Sequence, residues 1–163
     1  MKSISAKNKG IIISFLMMLL SFIFYHLLTP QNLYLSRYLI ISIFIVGLLW
    51  TLIDYKKSSN EASFKDLFNE GFKNFIVVTF FMALYSFIFY KIYPLPYEYE
   101  NFIVNNKALL LKEGNRTAKE INDNAAQWRN YFVPLILSFY NFTFLILGTI
   151  ISGITSYVFS KKK

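Results

Sequence analysis

The sequence has no cysteine and a single histidine, His26. Without thiols there are no disulfides, thiolate zinc sites, iron–sulfur clusters or thiol redox chemistry. One histidine does not build a metal site on its own. Charge is also missing from long stretches. No Asp, Glu, Lys or Arg lies between Lys9 and Arg37, or between Arg129 and Lys161. A soluble helix carries polar groups along its water-facing side, so these gaps argue against a soluble core. Each gap is long enough for a membrane helix, which needs about 20 mostly apolar residues to cross roughly 30 Å of hydrocarbon. There is no Gly-rich phosphate loop, nucleophile elbow or H-E-x-x-H pattern. No ionisable side chain falls in the centre of an apolar span, which weighs against a proton-coupled transporter, a channel with a charged filter or an intramembrane protease. The expectation is a protein without a catalytic set, cofactor or metal.

What remains is strongly apolar. Of 163 residues, 55% are hydrophobic and 20% aromatic, well beyond an ordinary soluble domain. The pattern predicts one all-α membrane domain over residues 1–163, with transmembrane spans at about 10–28, 33–53, 74–93 and 134–159. An amphipathic cytoplasmic segment precedes the third span, and a helical outer loop covers 97–131. The first span has the basic start of a signal peptide, but its apolar core is long and no small-residue cleavage site follows, so it reads as a retained helix. Thr29-Pro30-Gln31-Asn32 makes a tight turn, and so short a loop makes the first two spans antiparallel neighbours. Pro94-Leu95-Pro96 ends the third span, because a residue before proline is pushed out of helical geometry. Pro134 suits the first turn of the fourth.

The net charge of +8 does not point to nucleic acid. Lys2, Lys7 and Lys9 precede the first span, and Lys161, Lys162 and Lys163 follow the last, where lysines act as anchors and set orientation. Ten Lys and Arg residues fall on the side holding both termini and the loop between spans two and three. Seven (Arg37, Lys91, Lys107, Lys112, Arg116, Lys119 and Arg129) fall on the other, mostly offset by carboxylates. This bias places both termini in the cytoplasm and the 97–131 loop outside.

Two stretches stand out as interaction surfaces. Phe64, Leu67, Phe68, Gly71, Phe72 and Phe75 recur at three- and four-residue steps and so share one helical face. Ser63 precedes them as an N-cap, with Asp66 at capping-box spacing. Two readings fit: a helix lying in the membrane interface, or an early start of the third span. Phe64, Leu67, Phe68 and Phe72 are the candidate partner segment. In the fourth span, Gly148, Ser152 and Ser156 are four apart, as are Thr149 and Gly153. Small residues at this spacing let membrane helices approach closely. Packing within the monomer is favoured over a dimer face.

The outer loop reads as a helical hairpin broken at Gly114-Asn115, with Thr117 and Glu120 as a second capping box and Trp128 and Tyr131 at the membrane interface. Its carboxylates Glu98, Glu100, Glu113 and Asp123 alternate with Lys and Arg, the pattern of a solvated face. Asn141, between Tyr140 and Thr143, is a polar patch explained by interhelical hydrogen bonding.

In order along the chain, Tyr55-Lys56-Lys57 closes the second span, Ser63-Phe64-Lys65-Asp66-Leu67-Phe68 with Gly71 opens the third, Pro94-Leu95-Pro96-Tyr97 follows it, and a Gly/Ser-rich last span ends in a lysine tail. This layout resembles the bacterial domain-of-unknown-function family 4199, four-helix inner-membrane proteins of Bacteroidetes. The resemblance covers essentially the whole chain. It implies four membrane helices, an outer helical loop and an inner-membrane address, and it carries no catalytic residues. The expected partners are the lipid bilayer and a protein, either another chain or a second copy.

Overall fold

A computed structural model describes residues 4–27, 33–59, 61–93 and 97–161. They form five helices: α1 Ala6–Leu27, α2 Leu33–Ser58, α3 Phe64–Ile92, α4 Tyr97–Glu113 and α5 Ala118–Lys161. The turn expected at 29–32 and the stop at Pro94-Leu95-Pro96 lie outside the described residues. Among the described residues there is no strand, and four helices are long and apolar enough to cross a membrane: Ala6–Leu27, Leu35–Ser58, Phe64–Ile92 and Asn141–Lys161.

The chain divides into two compact units. The first comprises residues 1–85 and 140–163 and is a four-helix bundle. Its start is an antiparallel α1–α2 pair: Lys9 meets Asp54, and further in, a Cβ placed on Gly47 would lie 2.6 Å from Ile13. α3 and α5 pair antiparallel too, with Gly71 against Ser152 and Gly148 against Phe75. Phe44 of α2 meets Phe144 of α5 at 5.0 Å between ring centroids. Met17, Phe44, Leu48, Phe75, Val78 and Phe144 close the centre, each fully buried. Lipid offers no hydrogen bonds, so polar groups inside such a bundle must find partners within the protein. Ser14, Thr51 and Thr79 do so locally, each donating to the carbonyl four residues back, on Gly10, Gly47 and Phe75.

The second unit, residues 86–139, holds the end of α3, all of α4 and the first half of α5. Gly114 adopts φ 67° just after α4, the left-handed residue that commonly terminates a helix and that only glycine takes without strain. Thr117 then caps α5: its amide and hydroxyl both donate to the Glu120 carboxylate, at 2.7 and 3.0 Å, and the Glu120 amide donates back to the Thr117 hydroxyl at 3.3 Å. The two legs meet through Phe102 and Trp128, edge to face at 5.7 Å, and through Lys107, which donates to Asn122 at 2.9 Å. Ile103, Ile121 and Ala125 are buried between them.

One helix boundary differs from the sequence reading, and at another the structure takes one of the two readings left open. α5 does not begin at Pro134; it runs through that residue from Ala118 to Lys161. The proline therefore sits inside a helix, where it removes one backbone donor. The Thr117 cap starts α5 sixteen residues earlier than a Pro134 start would. α3 begins at Phe64 and continues unbroken to Ile92, so of the two readings of the Ser63–Phe75 segment the early start of the third membrane helix is the one that the structure takes. The Ser63–Asp66 capping box forms there, with the Ser63 hydroxyl donating to the carboxylate at 2.6 Å and the Asp66 amide donating to the Ser63 hydroxyl at 3.3 Å.

Each unit's part of α5 carries exposed apolar residues at steps of three and four: Trp128, Tyr131, Leu135 and Phe139 in the second unit, and Phe142, Ile146, Ile150, Ile154 and Tyr157 in the first.

A buried polar junction as the candidate functional site

The start of α1, the end of α2, the opening of α3 and the end of α5 converge at one end of the four-helix unit. Lys9 of α1 is only 3% exposed and pairs with the Asp54 carboxylate of α2, which is 35% exposed. Its ammonium also lies 5.2 Å from the ring centroid of Trp50, one helical turn before Asp54, within cation–π range. Lys9 was expected as a flanking anchor among the tail lysines. Instead it is drawn inside, where Asp54 gives its charge a counter-ion and Trp50 an aromatic face.

One turn deeper, Asn74 of α3 is completely buried. Its amide donates to the Ala6 carbonyl of α1 at 3.1 Å and to the Thr51 hydroxyl of α2 at 3.0 Å. Thr51 passes its own proton to the Gly47 carbonyl. One side chain thus ties three helices together. The approach is close: a Cβ on Gly10 would lie 2.9 Å from the Asn74 backbone oxygen. The Asn74 carbonyl oxygen and the hydroxyls of Ser152 and Ser156 are buried without a hydrogen-bond partner among the described residues.

The small residues of α5 divide by face. Gly148, Ser152 and Ser156 are buried. A Cβ on Gly148 would lie 2.8 Å from the Phe75 Cβ, and one on Gly71 would lie 2.9 Å from the Ser152 Cβ. Thr149 is exposed and donates to the Leu145 carbonyl at 2.7 Å. Gly153 is half-buried, with open space where a Cβ would go. The aromatic segment divides as well. Leu67, Gly71 and Phe75 point into the bundle, whereas Phe64 and Phe72 are exposed and Phe68 is half-buried. Phe64 and Phe68 stack at 5.9 Å on the outside. Within this opening turn Lys73 donates to Glu70 at 2.6 Å.

The remaining sequence candidates lie on other stretches of the helices. His26 lies in the last turn of α1, edge to face with Phe22 at 4.5 Å and Tyr25 at 5.4 Å. Asn141 is half-buried, and Glu113 and Asp123 are exposed. Among the described residues no three His, Asp or Glu side chains gather as a ligand set. In the second unit, Phe102, Trp128, Tyr131, Phe132 and Leu135 line an apolar groove of about 240 Å³, with buried Phe132 as its floor.

The sequence reading missed Lys9, Thr51, Asp54 and Asn74. A weak signal exists for two of them: Asp54 is the only acidic residue closing the second span, and Asn74 is the polar residue entering the third. Neither position reveals that they meet α1.

Four long apolar helices packed around such a junction define a multi-pass α-helical membrane protein. The chain belongs to the DUF4199 family, whose sequence profile matches residues 8–161 and whose description is a protein of unknown function. No curated protein and no solved structure gives a match to this sequence.

Proposed function

We propose that this chain is a non-enzymatic component of the bacterial inner membrane, with both termini in the cytoplasm, that acts by binding a protein partner. One observation carries the proposal. The charged pair Lys9–Asp54 and the Asn74 amide, which donates to Thr51 and Ala6, tie helices to one another, and the centre of the bundle is filled by Phe44, Phe75 and Phe144. A bundle built this way offers its surface rather than its interior. On the opening turns of α3, the surface includes the outward pair Phe64 and Phe72 with half-buried Phe68 between them.

The orientation follows from the lysine bias at the helix ends. It puts the Phe64–Phe72 face at the cytoplasmic side. A photo-crosslinking amino acid at Phe64 or Phe72 in native membranes should yield a discrete protein adduct. The same label at Ile146, one of the exposed apolar residues of α5, should yield lipid adducts alone. Lipid adducts at all three positions, together with a substrate-dependent flux in purified vesicles that Asp54→Asn abolishes, would replace this reading with a transporter.

A further inference from the structure

We infer that the lysine-bearing end of the four-helix unit is a binding surface for the phosphate headgroups of anionic phospholipids. The same chemistry applies on either side of the membrane, so the orientation proposed above plays no part in it. Charge is uneven at this end. The start of α1, the end of α2, the opening of α3 and the end of α5 carry seven of the described lysines against four carboxylates. Three of those carboxylates are engaged within the fold. Asp54 holds buried Lys9, Glu70 accepts from Lys73 at 2.6 Å, and Asp66 accepts from the Ser63 amide and hydroxyl at 3.1 and 2.6 Å. Glu61 is the fourth. Of the other lysines, Lys7, Lys57, Lys65 and Lys161 are exposed. Lys7 and Lys57 lie on the two helices that the Lys9–Asp54 pair joins, and Lys65 lies in the first turn of α3. The surface thus carries positive charge that the fold does not neutralise.

Its location says what supplies the opposite charge. α1, α2, α3 and the Asn141–Lys161 part of α5 have the length and apolar character of membrane spans, and these lysines stand at their ends. About one turn inward from Asp54 and Lys161, the rings of Trp50 and Tyr157 are exposed. Such amphipathic rings settle at headgroup level. Lys161 lies over the Tyr157 ring, 4.1 Å from its centroid. Lysines just beyond that belt are at the height of the lipid phosphates. Each lysine held there strengthens attraction to an anionic leaflet, and salt screens the effect. A zwitterionic headgroup carries its own cation beside the phosphate and offers these side chains less. An acidic protein arriving from water meets the same lysines only after the lipids that already surround the helices.

The full-length protein is reconstituted in phosphatidylcholine bilayers with a trace of spin-labelled lipid, either phosphatidylglycerol or phosphatidylcholine. Electron spin resonance reads the fraction of each label that the protein immobilises. At low salt phosphatidylglycerol should be immobilised in clear excess over phosphatidylcholine, and the excess should shrink as salt rises. Lys7→Gln, Lys57→Gln and Lys65→Gln together should remove most of it. All three side chains are exposed, so helix content by circular dichroism should stay unchanged. Lys112→Gln, Arg116→Gln and Lys119→Gln remove the same charge from the hairpin, where carboxylates alternate with the basic residues, and should leave the excess in place. Any of four results overturns the assignment. Equal immobilisation of the two labels would leave the lysines to an acidic protein. An excess that survives the first triple variant would place the lipid elsewhere. Equal loss in both triple variants would make it an effect of net charge alone. Release of the bound label by soluble glycerol phosphate would make the occupant a free phosphate.

Discussion

Lys9 and Asp54 illustrate what one pair of charges does at a membrane helix end. A lysine that is 3% exposed is tolerable only while its counter-charge stays in place, because removing one partner leaves an uncompensated buried charge. Asp54→Ala should therefore lower stability by about 1–3 kcal/mol, below the figure for a fully buried pair because the carboxylate is partly solvated. Replacing both partners, Lys9→Met with Asp54→Leu, should recover most of that loss. Thermal unfolding in mild detergent measures both. Equal stability of Asp54→Ala and the wild type would mean that Lys9 reaches water without its partner. Asn74→Ala removes two interhelical hydrogen bonds and should cost about 1–2 kcal/mol in the same assay, given that such bonds in membrane proteins average well under 1 kcal/mol each with maxima near 2.

At the same scale, Glu120 caps α5 from outside the spans. The Thr117 amide and hydroxyl donating to its carboxylate hold its pKa below the ordinary glutamate range, with a smaller contribution from Arg116. A carboxyl whose folded pKa is depressed stabilises the fold above its unfolded pKa. That contribution is lost as pH falls through the unfolded value and then the folded one. An NMR titration of the Glu120 side chain should give a midpoint below that of a free glutamate, and Thr117→Ala should move it upward. An unchanged midpoint in the variant would mean that the capping hydrogen bonds do not hold the charge.

Between elements, the two small-residue rows of α5 make opposite predictions. Gly148 lies against Phe75 with no room for a Cβ, so Gly148→Ala forces α3 and α5 apart and should destabilise by about 1–3 kcal/mol. Gly153 has open space at the same point, so Gly153→Ala should cost nothing. If Gly153→Ala proved the damaging change, and did so only at high protein density, the Thr149–Gly153 row would be a contact between copies. The spacing of four was legible in the sequence for both rows, since it needs only the residue types. Which row faces α3 was not legible, because the two differ by a single residue step around the helix and the choice depends on where Phe75 and Gly71 stand. The Ser63–Phe75 segment has the same character. Its stripe, its cap at Ser63 and Asp66 and its helical form were readable. The division into inward Leu67, Gly71 and Phe75 and outward Phe64 and Phe72 followed only from packing against α2 and α5. Pro134 misled for a related reason. Proline at the head of an apolar run resembles a helix start, but the cap at Thr117 opens the helix sixteen residues upstream and the chain continues through the proline.

For the molecule as a whole, the proposed orientation, which rests on the lysine bias, has the loop after α2 and the hairpin on opposite faces of the membrane. The absence of native cysteine makes this directly measurable. Glu61→Cys should react with a membrane-impermeant maleimide only after the cytoplasmic face is opened, and Asn115→Cys should react in intact cells. The reverse pattern would invert the topology and put the Phe64–Phe72 face outside.

The sequence by itself determined that this is an all-helical membrane chain, because continuous apolar runs of about 20 residues satisfy their backbone hydrogen bonds within one segment as helices, whereas barrel strands are shorter and alternate. It also determined the two capping boxes and the break at Gly114, which depend on residues within a few positions of each other. The tertiary structure alone decided that Lys9 goes inside, that Asn74 joins three helices, and that Phe102 closes a groove over Trp128 and Phe132. Each of these rests on a partner far along the chain, 45 residues away for Lys9 and 68 for the bond from Asn74 to Ala6. Periodicity reports which face a side chain occupies; only the packed bundle supplies what that face meets.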